Sequence, residues 1–182
     1  MLVLIGESAS GKSTIEKILV EQYGFEKVIS YTTRQPRNGE VNGVDYHFVS
    51  DAEFNKMNEF NSFVETAVYN GWQYGTTKKD VTENTAYKIA ILTPHGLRQY
   101  KKQNVNLESF YINVPRRDRL IKILQRGDSI EEAMRRNISD VGQFDGIEDE
   151  VDYVITNPEY QNSAHYIANV INNIYRVEQN EK

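Results

Sequence analysis

Met1-Leu2-Val3-Leu4-Ile5-Gly6-Glu7-Ser8-Ala9-Ser10-Gly11-Lys12-Ser13 decides the fold of this 182-residue chain. Five apolar residues in a row, ended by a glycine, read as a strand buried on both faces, as in a parallel sheet. From Ser13 the period changes. Ile15, Ile18 and Leu19 recur at helical spacing, and Gly24 punctuates the end at Tyr23. Between strand and helix, residues 6–13 fill every fixed position of G-x-x-x-x-G-K-[ST]. Gly6 and Gly11 let the backbone turn and approach an anion. The N–H groups of Glu7, Ser8, Ala9, Ser10 and Thr14 and the helix N-terminus face phosphate, Lys12 adds a point charge, and the Ser13 hydroxyl is a hard ligand suited to Mg²⁺. A Gly/Ser-rich turn before a helix is the bland alternative. The motif implies a nucleoside triphosphate and leaves the acceptor open.

Composition narrows the class. Hydrophobic residues at 39% and charged residues at 26% exclude disorder and fibrous repeats. The absence of cysteine removes a disulfide framework, a thiolate metal site and a cysteine nucleophile. A net charge of -5 disfavours a nucleic-acid backbone as partner but permits a local arginine cluster. The longest apolar run is far short of the ~20 residues of a membrane span, so no membrane partner and a cytoplasmic location are expected.

Further along, Val28–Tyr31 reads as a second strand. Residues 32–84 then change texture: Pro36, Gly39, Gly43, Gly71 and Gly75 cut them into pieces, with brief strands at Tyr46–Val49, Ser62–Tyr69 and Trp72–Tyr74 and a short helix over Ala52–Asn58 capped by Asp51. The βα pattern returns with a strand at Lys88–Leu92, a helix at Pro94–Gln103 and a strand at Ser109–Val114. A basic helix runs from Pro115 to about Arg126, and a second over Ser129–Val141, capped by Asp128 or Ser129. Val151–Thr156 is the last strand, and Ser163–Val177 a helix with one apolar face. The expectation is one α/β domain: a parallel sheet flanked by helices (1–31, 85–115 and 151–182), a small β-rich insert (32–84) and a helical lid (116–150).

Ser30-Tyr31-Thr32-Thr33-Arg34-Gln35-Pro36-Arg37-Asn38-Gly39-Glu40-Val41-Asn42-Gly43-Val44-Asp45-Tyr46-His47-Phe48 carries the second signal. Two arginines follow the second strand, at the sheet edge where the phosphate loop also lies. Guanidinium forks take phosphate oxygens bidentately, and Tyr46 and Tyr74 can donate hydroxyls to the same anion. A solvated basic loop is the alternative.

This stretch resembles the nucleoside-monophosphate site of guanylate kinases, whose signature is close to T-T-R-x-x-R-x-G-E-x-x-G-x-D-Y-x-F. The resemblance runs along the whole chain and is strongest over residues 1–78. It implies ATP-dependent phosphorylation of GMP or dGMP, with Mg²⁺ as cofactor. By position, Arg34, Arg37, Tyr46 and Tyr74 would hold the monophosphate, and Ser30, Glu65 and Thr76 would meet guanine. A carboxylate accepts guanine's adjacent N1–H and N2–H₂ together, which adenine cannot offer. Arg126 and a second lid arginine would join Lys12 and Arg34 in neutralising the transferred group. Counting forward from Asp128-Ser129 puts that arginine at Arg136, the preferred placement; counting back from Asp152-Tyr153 puts Asn137 there. Asn157 fits a position near the donor's adenine.

One departure stands out. The family usually carries acids at the end of the strand where this chain has Ile91 and Thr93. That leaves Ser13, water and phosphates to hold Mg²⁺, unless another acid helps. The rival readings are a kinase for another phosphorylated acceptor, and a kinase-like module with weak or no turnover that binds a phosphorylated partner. Glu65 speaks against the first, and Lys12 with Ser13 against the second. Oligomeric state is not legible.

Overall fold

The structure is a computed structural model. It describes residues 1–181 apart from Asn38, Asn70, Glu83, Asn84, Arg126, Asp128 and Ser129, and apart from the side chains of Tyr69, Glu132, Ala133, Arg136, Asn180 and Glu181. The opening apolar run forms β1 (Leu2–Ile5), wholly buried. It lies at the centre of a five-stranded parallel sheet with β2 (Glu26–Lys27), β7 (Lys88–Ile91), β8 (Glu108–Asn113) and β9 (Tyr153–Thr156), in the order β2-β7-β1-β8-β9. Successive side chains of a strand face opposite ways. Leu2 and Leu4 therefore enter one core with Ile15, Leu19, Ile167 and Tyr175 from α1 (Lys12–Tyr23) and α7 (Ala164–Glu181). Val3 and Ile5 enter a second core with Leu97 and Tyr100 of α4 (Pro94–Lys102), Tyr111 and Ile147. Each fully buried Leu or Ile contributes roughly 1.5–3 kcal/mol, so this strand anchors both layers.

The second sheet has the order β4-β3-β6-β5: β4 (His47–Phe48), β3 (Tyr31–Thr32), β6 (Trp72–Thr77) and β5 (Phe63–Tyr69). Between β4 and β5 runs α2 (Asp51–Glu59), whose Phe54 stacks on Phe63 with ring centroids 4.5 Å apart. A short helix α3 (Lys78–Thr82), not expected from the sequence, leads back towards the main sheet. The two remaining helices are α5 (Arg116–Gln125) and α6 (Ile130–Asp140). Among the described residues, no helix is long and apolar enough to cross a membrane.

Two local expectations are corrected. Val28–Tyr31 is not one strand. The ladder of β2 onto β7 ends with Val28 N–H donating to Ile89 O at 2.9 Å, and the chain then crosses to the other sheet at Tyr31. Helix α2 is capped by Ser50, not Asp51. The Ser50 hydroxyl accepts Glu53 N–H, and the Glu53 carboxylate accepts Ser50 N–H in return. The expected caps Asp128 and Ser129 of α6 lie outside the described residues.

Candidate functional site

The phosphate loop sits between β1 and α1 with its conformation fixed by close approach. A Cβ at Gly6 would lie 2.6 Å from Ser10 Oγ and 2.8 Å from the Ile112 carbonyl oxygen, so only glycine fits. Gly11 caps α1 with φ 99°, a backbone that L side chains rarely adopt. Lys12 folds back over the loop, donating to Gly6 O at 2.6 Å and Glu7 O at 2.8 Å. Burial lowers its ammonium to about 8, although Asp140 and Glu7 pull the other way. Ser13 and Thr14 are exposed in the first turn of α1.

A cavity of about 380 Å³ lies between the two sheets, lined by Ser30, Arg34, Arg37, Tyr46, Glu65 and Tyr74 and by the end of β7 from Ile91 to Thr93. Six of the seven residues expected at the monophosphate site thus face one space. The seventh, Thr76, is buried behind it, donating from its hydroxyl to Glu65 Oε1 at 2.9 Å and sharing a 3.0 Å hydrogen bond with Ser30 Oγ. Glu65 is itself buried, and burial pushes its carboxyl up to about 7 against the pull of the Thr76 hydrogen bonds. Arg34 is 5% exposed. Its guanidinium donates to Glu40 Oε1 and to Gln35 O, both at 2.8 Å, and lies 5.5 Å from the Tyr46 ring centroid. The hydrogen bond to Glu40 holds it firmly charged, above its ordinary value.

A neighbouring cavity of about 290 Å³ is lined by Gly6, Ser8, Lys12 and Asp140 and shares Ile91, Leu92 and Thr93 with the first. The two spaces meet over the end of β7. One holds the loop's lysine, the other two arginines and a buried carboxyl. An anion in each would bring its charge to the common wall, the geometry of direct transfer between two bound phosphates.

A profile of the family described as guanylate kinase matches residues 1–174. The chain belongs to the guanylate kinase family. It is 32% identical to the guanylate kinase of Haemophilus influenzae, with 94% of this chain and 86% of that one covered. Against the guanylate kinase of Mannheimia succiniciproducens the identity is 31%, covering 100% and 93%. The crystal structure of guanylate kinase from Anaplasma phagocytophilum superposes with a TM-score of 0.71 at 28% identity, covering 98% of this chain and 85% of that one.

Within this guanylate kinase fold the other expected residues divide. Asn157 is buried and builds a turn: its amide donates to Asn162 O at 3.1 Å, and its Oδ1 accepts Asn162 N–H at 2.9 Å. Arg126 and the side chain of Arg136 lie outside the described residues. Asn137, the alternative to Arg136, is buried and accepts a hydrogen bond from Arg116. At the end of β7, Ile91 is aliphatic and the Thr93 hydroxyl accepts Gly96 N–H at 3.1 Å, which caps α4. Among the described residues no three acidic or histidine side chains form a ready metal cluster. Such a donor set would suit Mg²⁺ carried in on phosphate oxygens, with the exposed Ser13 hydroxyl as the hard oxygen the loop offers.

Three contributors were not assigned a role from sequence. Glu40 braces the arginines, accepting from Arg34 and from Arg37 N–H at 2.7 Å; its place in the quoted signature was the available signal. Tyr111 donates to Glu7 Oε2 at 2.9 Å, steadying the loop. Asp140 accepts Ser8 N–H at 2.9 Å across 132 residues of sequence, and nothing local announces it.

Proposed function

We propose that the chain transfers the γ-phosphoryl group of ATP to GMP or dGMP, giving ADP and the diphosphate. The observation that carries this is the meeting of the two cavities over the end of β7, with Lys12 on one side and Arg34, Arg37 and Glu65 on the other. The acceptor's phosphate oxygen attacks the γ-phosphorus in line, with no covalent intermediate on the protein. Lys12 and the loop N–H groups hold the donor's phosphates. Arg34 and Arg37, with hydroxyls from Tyr46 and Tyr74, hold the acceptor's phosphate. Glu65, oriented by Thr76 beside Ser30, accepts the paired donors of guanine in its ionised form. Asn157 supports the wall near the donor base through the turn it closes, and Arg126 and Arg136 bring lid charge to the transferred group. Mg²⁺, held on the phosphates and Ser13, would supply charge neutralisation between donor and acceptor. In this reading residues 32–84 form the acceptor insert and 116–150 the lid, on a core of 1–31, 85–115 and 151–182.

The test is a coupled ADP-release assay with ATP and, in turn, GMP, dGMP, AMP, CMP and UMP. Turnover with the guanine nucleotides at least tenfold above the others is expected. ADP release that ignores the acceptor, or prefers a pyrimidine, would sink the assignment.

A further inference from the structure

The strand edge at Ile91 and Thr93 brings no carboxylate to the donor cavity, yet one arrives from α6. Asp140, the last residue of that helix, lines the cavity together with Gly6, Ser8 and Lys12. Its Oδ2 accepts Ser8 N–H at 2.9 Å, and its Oδ1 accepts the Ser8 hydroxyl at 3.3 Å. The same Oδ2 lies 3.5 Å from Nη1 of Arg119. Arg119 is buried and already committed, donating to Glu7 Oε1 at 3.0 Å and to Val114 O at 2.9 Å. Asp140 is therefore tied at once to the loop and to a fixed guanidinium.

Three roles suit a carboxylate here: a brace for the lid, a ligand for a cation, or a stand-in for a phosphate. A brace needs only Arg119. A cation ligand would turn its oxygens away from N–H and O–H donors. Both oxygens instead accept from Ser8, in a loop whose N–H groups are shaped to receive an anion. A phosphate taking that N–H would meet a second negative charge at hydrogen-bond distance, so the two exclude each other. We propose that Asp140 is the residue that sets the donor's hold on the loop: it occupies Ser8 in the free enzyme and yields it to the donor's phosphate. This inference rests on the reading of residues 6–13 as the donor site. Because binding linkage is reciprocal, the donor weakens the contact between α6 and the loop by the same factor that Asp140 weakens the donor.

Calorimetric titration of the full chain with inorganic tripolyphosphate, free of divalent metal, tests this without base, acceptor or turnover. D140N and D140A should bind tripolyphosphate about tenfold more tightly than the wild type, the effect of removing a competing charge-assisted hydrogen bond. GMP affinity should stay within twofold. Unchanged or weaker tripolyphosphate binding overturns the proposal. So does ATP binding that weakens in D140N when Mg²⁺ is present and not when it is absent, which would make Asp140 a cation ligand. If neither variant folds, the wild type still decides: the ¹³C resonance of the Asp140 carboxyl should shift with tripolyphosphate and not with GMP, and a static resonance overturns the idea. A wild type that binds neither tripolyphosphate nor ATP overturns the donor reading itself, whereas normal wild-type binding with unaltered variants overturns only the role of Asp140.

Discussion

Two carboxylates hold the two anion sites in the absence of ligand, and they do opposite things. Glu40 pairs with a cation: its oxygens take Arg34 Nη2 and Arg37 N–H, which fixes the Arg34 guanidinium and the Arg37 backbone. A guanidinium has five N–H groups, so Arg34 keeps donors for a phosphate while Glu40 stays in place. Asp140 takes Ser8 N–H itself, one of the donors that the phosphate loop offers. One acid prepares its site and the other fills it. Burial does not explain the difference, since the side chains of Glu40 and Asp140 are 20% and 15% exposed. Each faces a guanidinium and accepts a backbone N–H; what differs is that the N–H taken by Asp140 belongs to the phosphate loop itself.

The contrast is broken most severely at Lys12. Lys12→Ala should lower kcat by about 10²–10³, because a preorganised charge at the transferred group is lost, while GMP affinity stays the same. Single-turnover kinetics with ATP and a separate GMP titration separate the two quantities. A loss below tenfold would mean that the loop is not where transfer is stabilised.

Glu65 sharpens the acceptor side. Glu65→Gln should cut selectivity for GMP over AMP by about 100-fold, since an amide cannot accept both guanine donors. The pH dependence has a definite sign. With its carboxyl at about 7 in the folded chain, Glu65 is increasingly protonated as pH falls below 7, so wild-type kcat/KM for GMP should drop there. The variant should lose that limb. Stability runs the other way. A raised carboxyl binds its proton more tightly in the folded state, so its contribution is complete below the ordinary value of 4.5 and is lost as pH rises through about 7. Glu16, buried in α1 and also pushed to about 7, acts in the same direction. Thermal melts should show wild-type stability falling between pH 4.5 and 7, and Glu65→Gln more stable than wild type at pH 8.

Much of this was legible in the sequence because it is local. β1, the loop and α1 occupy Leu2–Tyr23, and the fixed positions of the phosphate motif lie within eight consecutive residues. The residues expected at the acceptor site from Ser30 to Tyr46 lie in one contiguous signature. The rest depends on long-range approach. Val28–Tyr31 read as one strand because periodicity does not say which sheet a residue joins. Asp51 and Ser50 are both of a type that caps helices, and only the reciprocal bond with Glu53 identifies Ser50. Asp140 ends a helix whose sequence reads as a charged surface, and its partner lies 132 residues away. Arg126 and Arg136 come from the family pattern, and Arg126 and the side chain of Arg136 lie outside the described residues.

Glu40→Ala tests the brace. Arg34 would keep its charge but lose the contact that aims it, so the acceptor KM should rise about fivefold to tenfold with kcat nearly unchanged. A fall in KM would place Glu40 with Asp140, as an occupant that the acceptor must displace.

The smallest effect is expected at Tyr100. Its ring fills the second core, and its hydroxyl is buried close to Thr76 and Glu65, with no well-formed hydrogen bond among the described residues. Burial holds its proton on against the weaker pull of the Thr76 hydroxyl, and the nearby Glu65 charge adds to burial, so the hydroxyl stays neutral. A buried hydroxyl without a well-formed hydrogen bond costs about 1 kcal/mol, the low end of the range for a buried unsatisfied group, and Phe keeps the ring while removing that cost. Tyr100→Phe should therefore raise the thermal midpoint by about 2–4 °C and leave the GMP KM within twofold. A lowered midpoint together with a raised KM would instead make Tyr100 part of the support for Glu65. The acceptor site would then be prepared from α4 as well as from Glu40, and the asymmetry between the two anion sites would be wider than the two carboxylates alone suggest.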